Sequence, residues 1–266
     1  MSLKQFFIFG IIIFIFSCNT EPTDAPYEET NDSTLLKRII YNKDTADEYS
    51  ETFNYNGNKL ISVDYGDGSK NVYTYENDNL IKDEYFSEGI LMHYASLEYD
   101  SNGKLITFTE NWLENAGWDN RIAKHELRIN SDNTITDEVY QSFNGAELEF
   151  YQTRLIKFDD YTNIKEYGNN EYYSSYTYDN KNGMFKNVHA IEVLNLLSEI
   201  EFGASIYGNK NNVTSFKENG DDIVNEYYDT YEYTYNENNY PISSICISQR
   251  IDGSDQDIET IEYFYE

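Results

Sequence analysis

The stretch Phe53-Asn54-Tyr55-Asn56-Gly57-Asn58-Lys59-Leu60-Ile61-Ser62-Val63 sets the pattern for most of the chain. Two aromatic residues stand two apart, a run of turn-forming residues follows, and an apolar pair closes the unit. The figure returns at Tyr73-Thr74-Tyr75 with Leu80-Ile81, at Leu97-Glu98-Tyr99 with Leu105-Ile106, and at Leu127-Arg128-Ile129 with Ile135. It continues at Ile156-Lys157-Phe158 with Ile164 and at Tyr176-Thr177-Tyr178 with Met184-Phe185. The late copies are Tyr207 with Val213, Tyr233-Thr234-Tyr235 with Ile242, and the half-unit Ile261-Glu262-Tyr263-Phe264-Tyr265.

Residues two apart on a strand face the same side of a sheet, and aromatic side chains suit that pleated surface. The linkers are rich in Asn, Asp and Gly, which accept the positive φ of tight hairpin turns. Each unit therefore reads as a β-hairpin, and in-phase copies read as a repeat array. A second kind of turn, Gly66-Asp67-Gly68-Ser69, joins one hairpin to the next. The fold class is all-β: an up-and-down antiparallel meander of about 16 to 18 strands. A meander that long must curl, split or close, because open twisted sheets rarely exceed about ten strands.

The chain has 266 residues, a net charge of −29 and a mean hydropathy of −0.70. Such polarity alone would suggest disorder, but 17% aromatic residues, including 27 tyrosines, argue for a folded core. Three regions are expected: a lipoprotein signal peptide at 1–17, an acidic flexible tether at 18–34, and one hairpin-repeat domain at 35–266. Phe6–Phe16 is an apolar run too short for an ordinary membrane span and of the length of a secretory signal. Ile15-Phe16-Ser17-Cys18 resembles the lipobox of bacterial lipoproteins, which implies lipid attachment at Cys18 and places the chain in the cell envelope, on the outer membrane. A plain secretory signal is the alternative. Glu21 and Asp24 resemble a surface-export signal. Cleavage before Cys18 leaves 18 basic and 48 acidic residues, a net charge of −30. That balance repels nucleic acid, so the membrane partner is engaged through the N-terminal lipid. Cys246, within Ile245-Cys246-Ile247, reads as a buried free thiol, with a bridge to an unlipidated Cys18 as the alternative.

Val188–Ile200 breaks the two-residue alternation. Ile191, Leu194, Leu197 and Ile200 have helical spacing, so one short helix is expected near 188–200, with a buried strand as the alternative. From Tyr176-Thr177-Tyr178-Asp179-Asn180-Lys181-Asn182-Gly183, through this insert, to Asn211-Asn212-Val213-Thr214 and Tyr233-Thr234-Tyr235-Asn236-Glu237-Asn238-Asn239-Tyr240-Pro241, the chain resembles a Bacteroidota lipoprotein family. That family carries a domain of unknown function with a porin-like fold. The hairpins also resemble tyrosine–aspartate (RHS-like) repeats. The resemblance departs at Asn239 and at Gly183-Met184. It implies closure into a porin-like barrel or a strongly coiled sheet, and it transfers no catalytic residue. Membrane spanning by the strands is disfavoured, because aromatic positions alternate with Asp, Glu, Lys and Thr.

No catalytic constellation stands out. His93, His125 and His189 are scattered, no zinc-type spacing occurs, and neither a metal nor a cofactor is expected. Asp100-Ser101-Asn102-Gly103 and Asp179–Gly183 carry oxygen ligands near a glycine but read as turn chemistry. Trp112 and Trp118 flank another hairpin turn and are candidate ligand contacts, for stacking on a glycan or peptide; cross-strand packing is the alternative. The reading is a lipid-anchored binding or scaffold module whose acidity favours cationic or neutral polyhydroxyl ligands. A carboxylate-dependent hydrolase acting on a polymer is the alternative.

Overall fold

A computed structural model describes residues 33–114, 120–160, 163–202, 210–220 and 227–266. In chain order the strands are β1 (Leu36–Tyr41), β2 (Tyr49–Asn56), β3 (Lys59–Asp64), β4 (Ser69–Glu76), β5 (Asn79–Ser87) and β6 (Ile90–Tyr99). Next come β7 (Leu105–Trp112), β8 (Arg121–Ile129), β9 (Ile135–Phe143), β10 (Glu149–Phe158), β11 (Ile164–Gly168) and β12 (Tyr172–Tyr178). Helix α1 (Ile191–Phe202) precedes β13 (Val213–Gly220), β14 (Tyr227–Tyr235), β15 (Pro241–Arg250) and β16 (Gln256–Tyr265). Each strand pairs antiparallel with its sequence neighbours, and β1 pairs with β16, so the sixteen strands close into a barrel. An even strand count lets the last strand meet the first antiparallel, and closure leaves no free edge.

The apolar pair of the repeat has a specific structural meaning. Tyr55 pairs with Leu60 and Asn54 with Ser62, which leaves Ile61 unpaired as a β-bulge. Ile81, Ile106, Lys165, Thr214 and Ile242 are skipped in the same way, each just after the turn. The first member points inward and the bulged member outward: Leu60 is 1% exposed and Ile61 39%. A bulge adds local twist, and its recurrence at one end of the wall helps a long meander roll up.

The second aromatic of the doublet has a complementary task. The Tyr55 hydroxyl donates to the Leu36 carbonyl at 2.8 Å, Tyr99 to Leu80 at 2.7 Å and Tyr178 to Ile164 at 2.6 Å; in the Tyr233-Thr234-Tyr235 copy the first tyrosine does this instead, Tyr233 reaching the Val213 carbonyl at 2.8 Å while Tyr235 donates to Asp179. Each bond to a carbonyl reaches back to the preceding strand. Tyrosine is favoured over phenylalanine here because its ring fills the interior while its hydroxyl satisfies a backbone acceptor.

One hairpin is corrected. Met184-Phe185 does not return beside Tyr176-Thr177-Tyr178; β12 pairs with β13, and Tyr178 faces Val213. The reason lies in the turn. At the β10–β11 turn, Asp159 accepts from the Asn163 backbone N–H at 2.9 Å and from its Nδ2 at 2.8 Å. At Asp179 the same two bonds come from Asn212, both at 3.1 Å. Residues 180–211 are thus spliced into a turn whose two ends still meet. The copy at Tyr207 falls outside the described residues.

The insert carries α1. Leu194, Asn195, Leu196, Leu197, Ser198 and Glu199 are consecutive and none is more than 6% exposed. Six buried residues in a row cover every side of a helix, and the lumen of a closed wall is where such cover exists. Phe185 meets Phe53 edge-on at 5.1 Å, and the helix joins the same apolar core as the inward residues of the wall. The outer face is different. Lys82–Glu84, Lys124–Glu126, Lys157–Glu166 and Lys43–Glu262 pair across it at 2.5 to 2.7 Å. The outer face is mixed: these ion pairs stand among exposed apolar side chains such as Ile61, Ile106, Ile245 and Ile258, whereas a lipid-facing barrel carries a continuous apolar band around the wall.

Candidate functional site

Polar side chains enter the lumen by being in phase with the aromatic doublet. Glu51 stands two before Phe53, Asp229 two before Tyr231, and Glu259 two before Ile261. Strand period two then turns each acid to the inner face. Their strands, β2, β14 and β16, stand in one sector of the wall because β1 closes on β16. Together with the inward face of β1 and the end of the insert they bound a cavity of about 310 Å³. Six tyrosines line it (41, 49, 176, 231, 233 and 263), along with these three carboxylates and no Lys, Arg or His among the described residues.

The rings are organised. Tyr41 and Tyr49 stack at 4.2 Å with planes 5° apart, and Tyr233 lies 6.2 Å from Tyr231 and 6.4 Å from Tyr263. Tyr49 donates to Glu259 Oε1 at 3.0 Å. Glu51 is 9% exposed, and its Oε2 has no hydrogen-bond partner; Asp229 Oδ1 is likewise unpartnered. Burial pushes the Glu51 carboxyl up to about 7; the Tyr41 hydrogen bond opposes this and the Glu259 charge adds to it. Burial also raises Asp229 and Glu259. Cys246 borders this cluster through Tyr231; it is a free buried thiol, and burial pushes it up to about 11.

A second polar network crosses another sector of the lumen. His125 sits between Glu110 Oε2 at 3.1 Å and Asp137 Oδ1 at 3.0 Å, with its ring stacked on Phe108 at 4.2 Å. Tyr167 donates to Asp137 at 3.3 Å, and Arg154 donates to Tyr167. Burial alone would lower the His125 pKa, but the bonds to Asp137 and Glu110 outweigh it and hold the ring above its ordinary value. Here every buried carboxylate stands beside a cationic group. Near the helix, Tyr176 donates to Glu199, whose other oxygen is unpartnered and which burial raises to about 7.

Of the residues singled out from the sequence, Trp112 is half-buried on β7, 4.7 Å from His93 and 4.5 Å below the Arg121 guanidinium. It packs across strands and does not line the cavity. Trp118 and Cys18 lie outside the described residues. The Asp100 carboxylate accepts the backbone N–H groups of Asn102 and Lys104 at 2.8 and 2.9 Å, as a turn requires. Among the described residues, no group of three His, Cys, Asp or Glu side chains is arranged to hold a metal ion.

No family model matches the chain, and no curated protein matches it. Solved structures similar to the chain include two porin-like proteins. A porin-like protein from Bacteroides uniformis ATCC 8492 shares 14% identity over 88% of this chain and 96% of its own, with a TM-score of 0.45. A porin-like protein from Bacteroides vulgatus ATCC 8482 shares 13% identity over 88% of this chain and 99% of its own, with a TM-score of 0.46.

Proposed function

We propose that this chain is a lipid-anchored barrel of the cell envelope, held on the outer membrane through Cys18, that binds a small ligand in its lumen. The observation that carries the binding part is the cavity itself: about 310 Å³ inside a closed wall, lined by tyrosine rings, with an unpartnered oxygen of a buried glutamate facing it. Leaving such an oxygen without a partner costs stability unless a ligand or ordered water satisfies it. The half-exposed Tyr49 and Glu259 stand at the barrel end opposite Leu36, where the chain enters the wall. The outward ion pairs support a wall bathed in water and borne on an anchor.

A thermal-shift screen of the full chain against glycans, short peptides and amines tests the binding reading. A dose-dependent rise in melting temperature with one class supports it, and no shift with any class counts against it. A second reading, hydrolysis by paired carboxylates, draws on Glu51 and Glu259 sharing the cavity with Glu51 protonated near neutrality. The cavity, at about 310 Å³, is of a size for a small molecule. Release of product from small glycosides, abolished by Glu51→Gln, would favour that reading instead.

A further inference from the structure

The two polar sectors of the lumen differ in one respect. Glu110 and Asp137 flank His125, with Arg154 one residue further through Tyr167. Glu51, Asp229 and Glu259 have tyrosines around them and no basic residue lining their cavity among the described residues. Buried carboxylates are ordinarily paired, because an unpaired buried charge is costly. No basic side chain lining this cavity compensates them, among the described residues, so a cation entering it would meet uncompensated carboxylates.

The chemistry of the lining narrows that cation. Glu51 Oε2 and Asp229 Oδ1 are both buried acceptors without donors. A quaternary ammonium has no N–H to give them, a neutral sugar leaves the charge uncompensated, and an anion is repelled. Tyrosine faces attract an ammonium through their negative quadrupole and cover a carbon chain with apolar surface. At about 30 Å³ per water, the cavity holds roughly ten waters, or a ligand of roughly six to ten non-hydrogen atoms.

Resting on the reading of the lumen as a ligand site, we propose that its ligand is a small alkylammonium, a primary amine or diamine, whose N–H groups reach Glu51 and Asp229 while its carbon chain lies against the Tyr41, Tyr231 and Tyr263 rings. The groups facing Glu51 are Tyr41 from β1, Tyr49 from its own strand, and Tyr263 and Glu259 from β16; Asp229 lines the same cavity from β14, with Ser248 and Glu218 as its neighbours. All are acids or neutral, so protonation of this cluster at lower pH weakens the site.

Calorimetric titration of the full chain in a mild nonionic detergent, at pH 8 and moderate salt, tests this with 1,4-diaminobutane, tetramethylammonium and glucose. The diamine is expected to bind, with tetramethylammonium at least about tenfold weaker and glucose silent. Glu51→Gln is expected to weaken the diamine at least about tenfold, while Glu232→Gln, on the exposed outer face of β14, leaves it unchanged. Asp229→Asn serves if Glu51→Gln does not fold. Equal diamine binding by wild type and the cavity variants would mean counterion attraction to the acidic surface and would overturn the inference. Binding of glucose or tetramethylammonium in preference to the diamine would keep the lumen as a ligand site and remove the amine. No binding by any probe would count against both.

Discussion

At the scale of single residues, the two buried acid clusters make opposite predictions. The Glu51 carboxyl is raised in the folded state from 4.5 to about 7, so between those values the folded chain holds more protons than the unfolded one. Its contribution is neutral below about pH 4.5 and increasingly destabilising up to about pH 7. Glu51→Gln should therefore be more stable than wild type at pH 8, by on the order of 1–3 kcal/mol, and the gap should close near pH 4.5; thermal melts across that range check it. His125 behaves the other way. Its folded value is raised, so its ion pairs contribute fully below its ordinary value and fade as pH rises through the folded one. His125→Ala leaves Glu110 and Asp137 facing each other and should cost about 3–5 kcal/mol in denaturant unfolding at pH 6. The candidate site was only partly legible in the sequence. Among 48 acids, Glu51, Asp229 and Glu259 are marked only by standing in phase with an aromatic doublet. Their meeting depends on β1 closing on β16, which no local pattern encodes. Trp112 stands out in the sequence as a large aromatic beside a turn, and its neighbours His93 and Arg121 come from the strands paired on either side of it.

At the scale of elements, the hairpins were legible because strand period and turn chemistry agree locally. The bulges were not, since Leu60-Ile61 reads as an apolar pair whether or not Ile61 is skipped. The insert misled because Asp179–Gly183 has the composition of a complete turn, while its closing residue is Asn212. The helix showed itself through spacing, although it runs Ile191–Phe202 and its burial on all sides needs the closed wall. Two predictions belong here. Tyr99→Phe removes the hydroxyl bond to the Leu80 carbonyl and should cost about 1 kcal/mol. Tyr55→Phe and Tyr178→Phe should cost similar amounts, because the bond repeats. Leu197→Ala, in the lumen at 2% exposure, should cost about 2–5 kcal/mol. Urea unfolding measures all four.

At the scale of the whole molecule, the barrel has an inside and an outside that answer to different solvents. Ion pairs on the outer face and an aromatic core within predict that the protein inserts no pore: planar bilayers exposed to it should show no conductance steps. Attachment should reside in Cys18, so that Cys18→Ser shifts the protein from the membrane fraction to the wash. The claim on which the rest turns is that the tyrosine-lined sector is acid without a built-in counterion, completed by an amine. Proton exchange on binding reads this directly. Titrating 1,4-diaminobutane at pH 6.5 in buffers of different ionisation enthalpy should show release of roughly half to one proton per ligand, lost in Glu51→Gln. Heat that does not depend on the buffer, or that persists unchanged in Glu51→Gln, would contradict it.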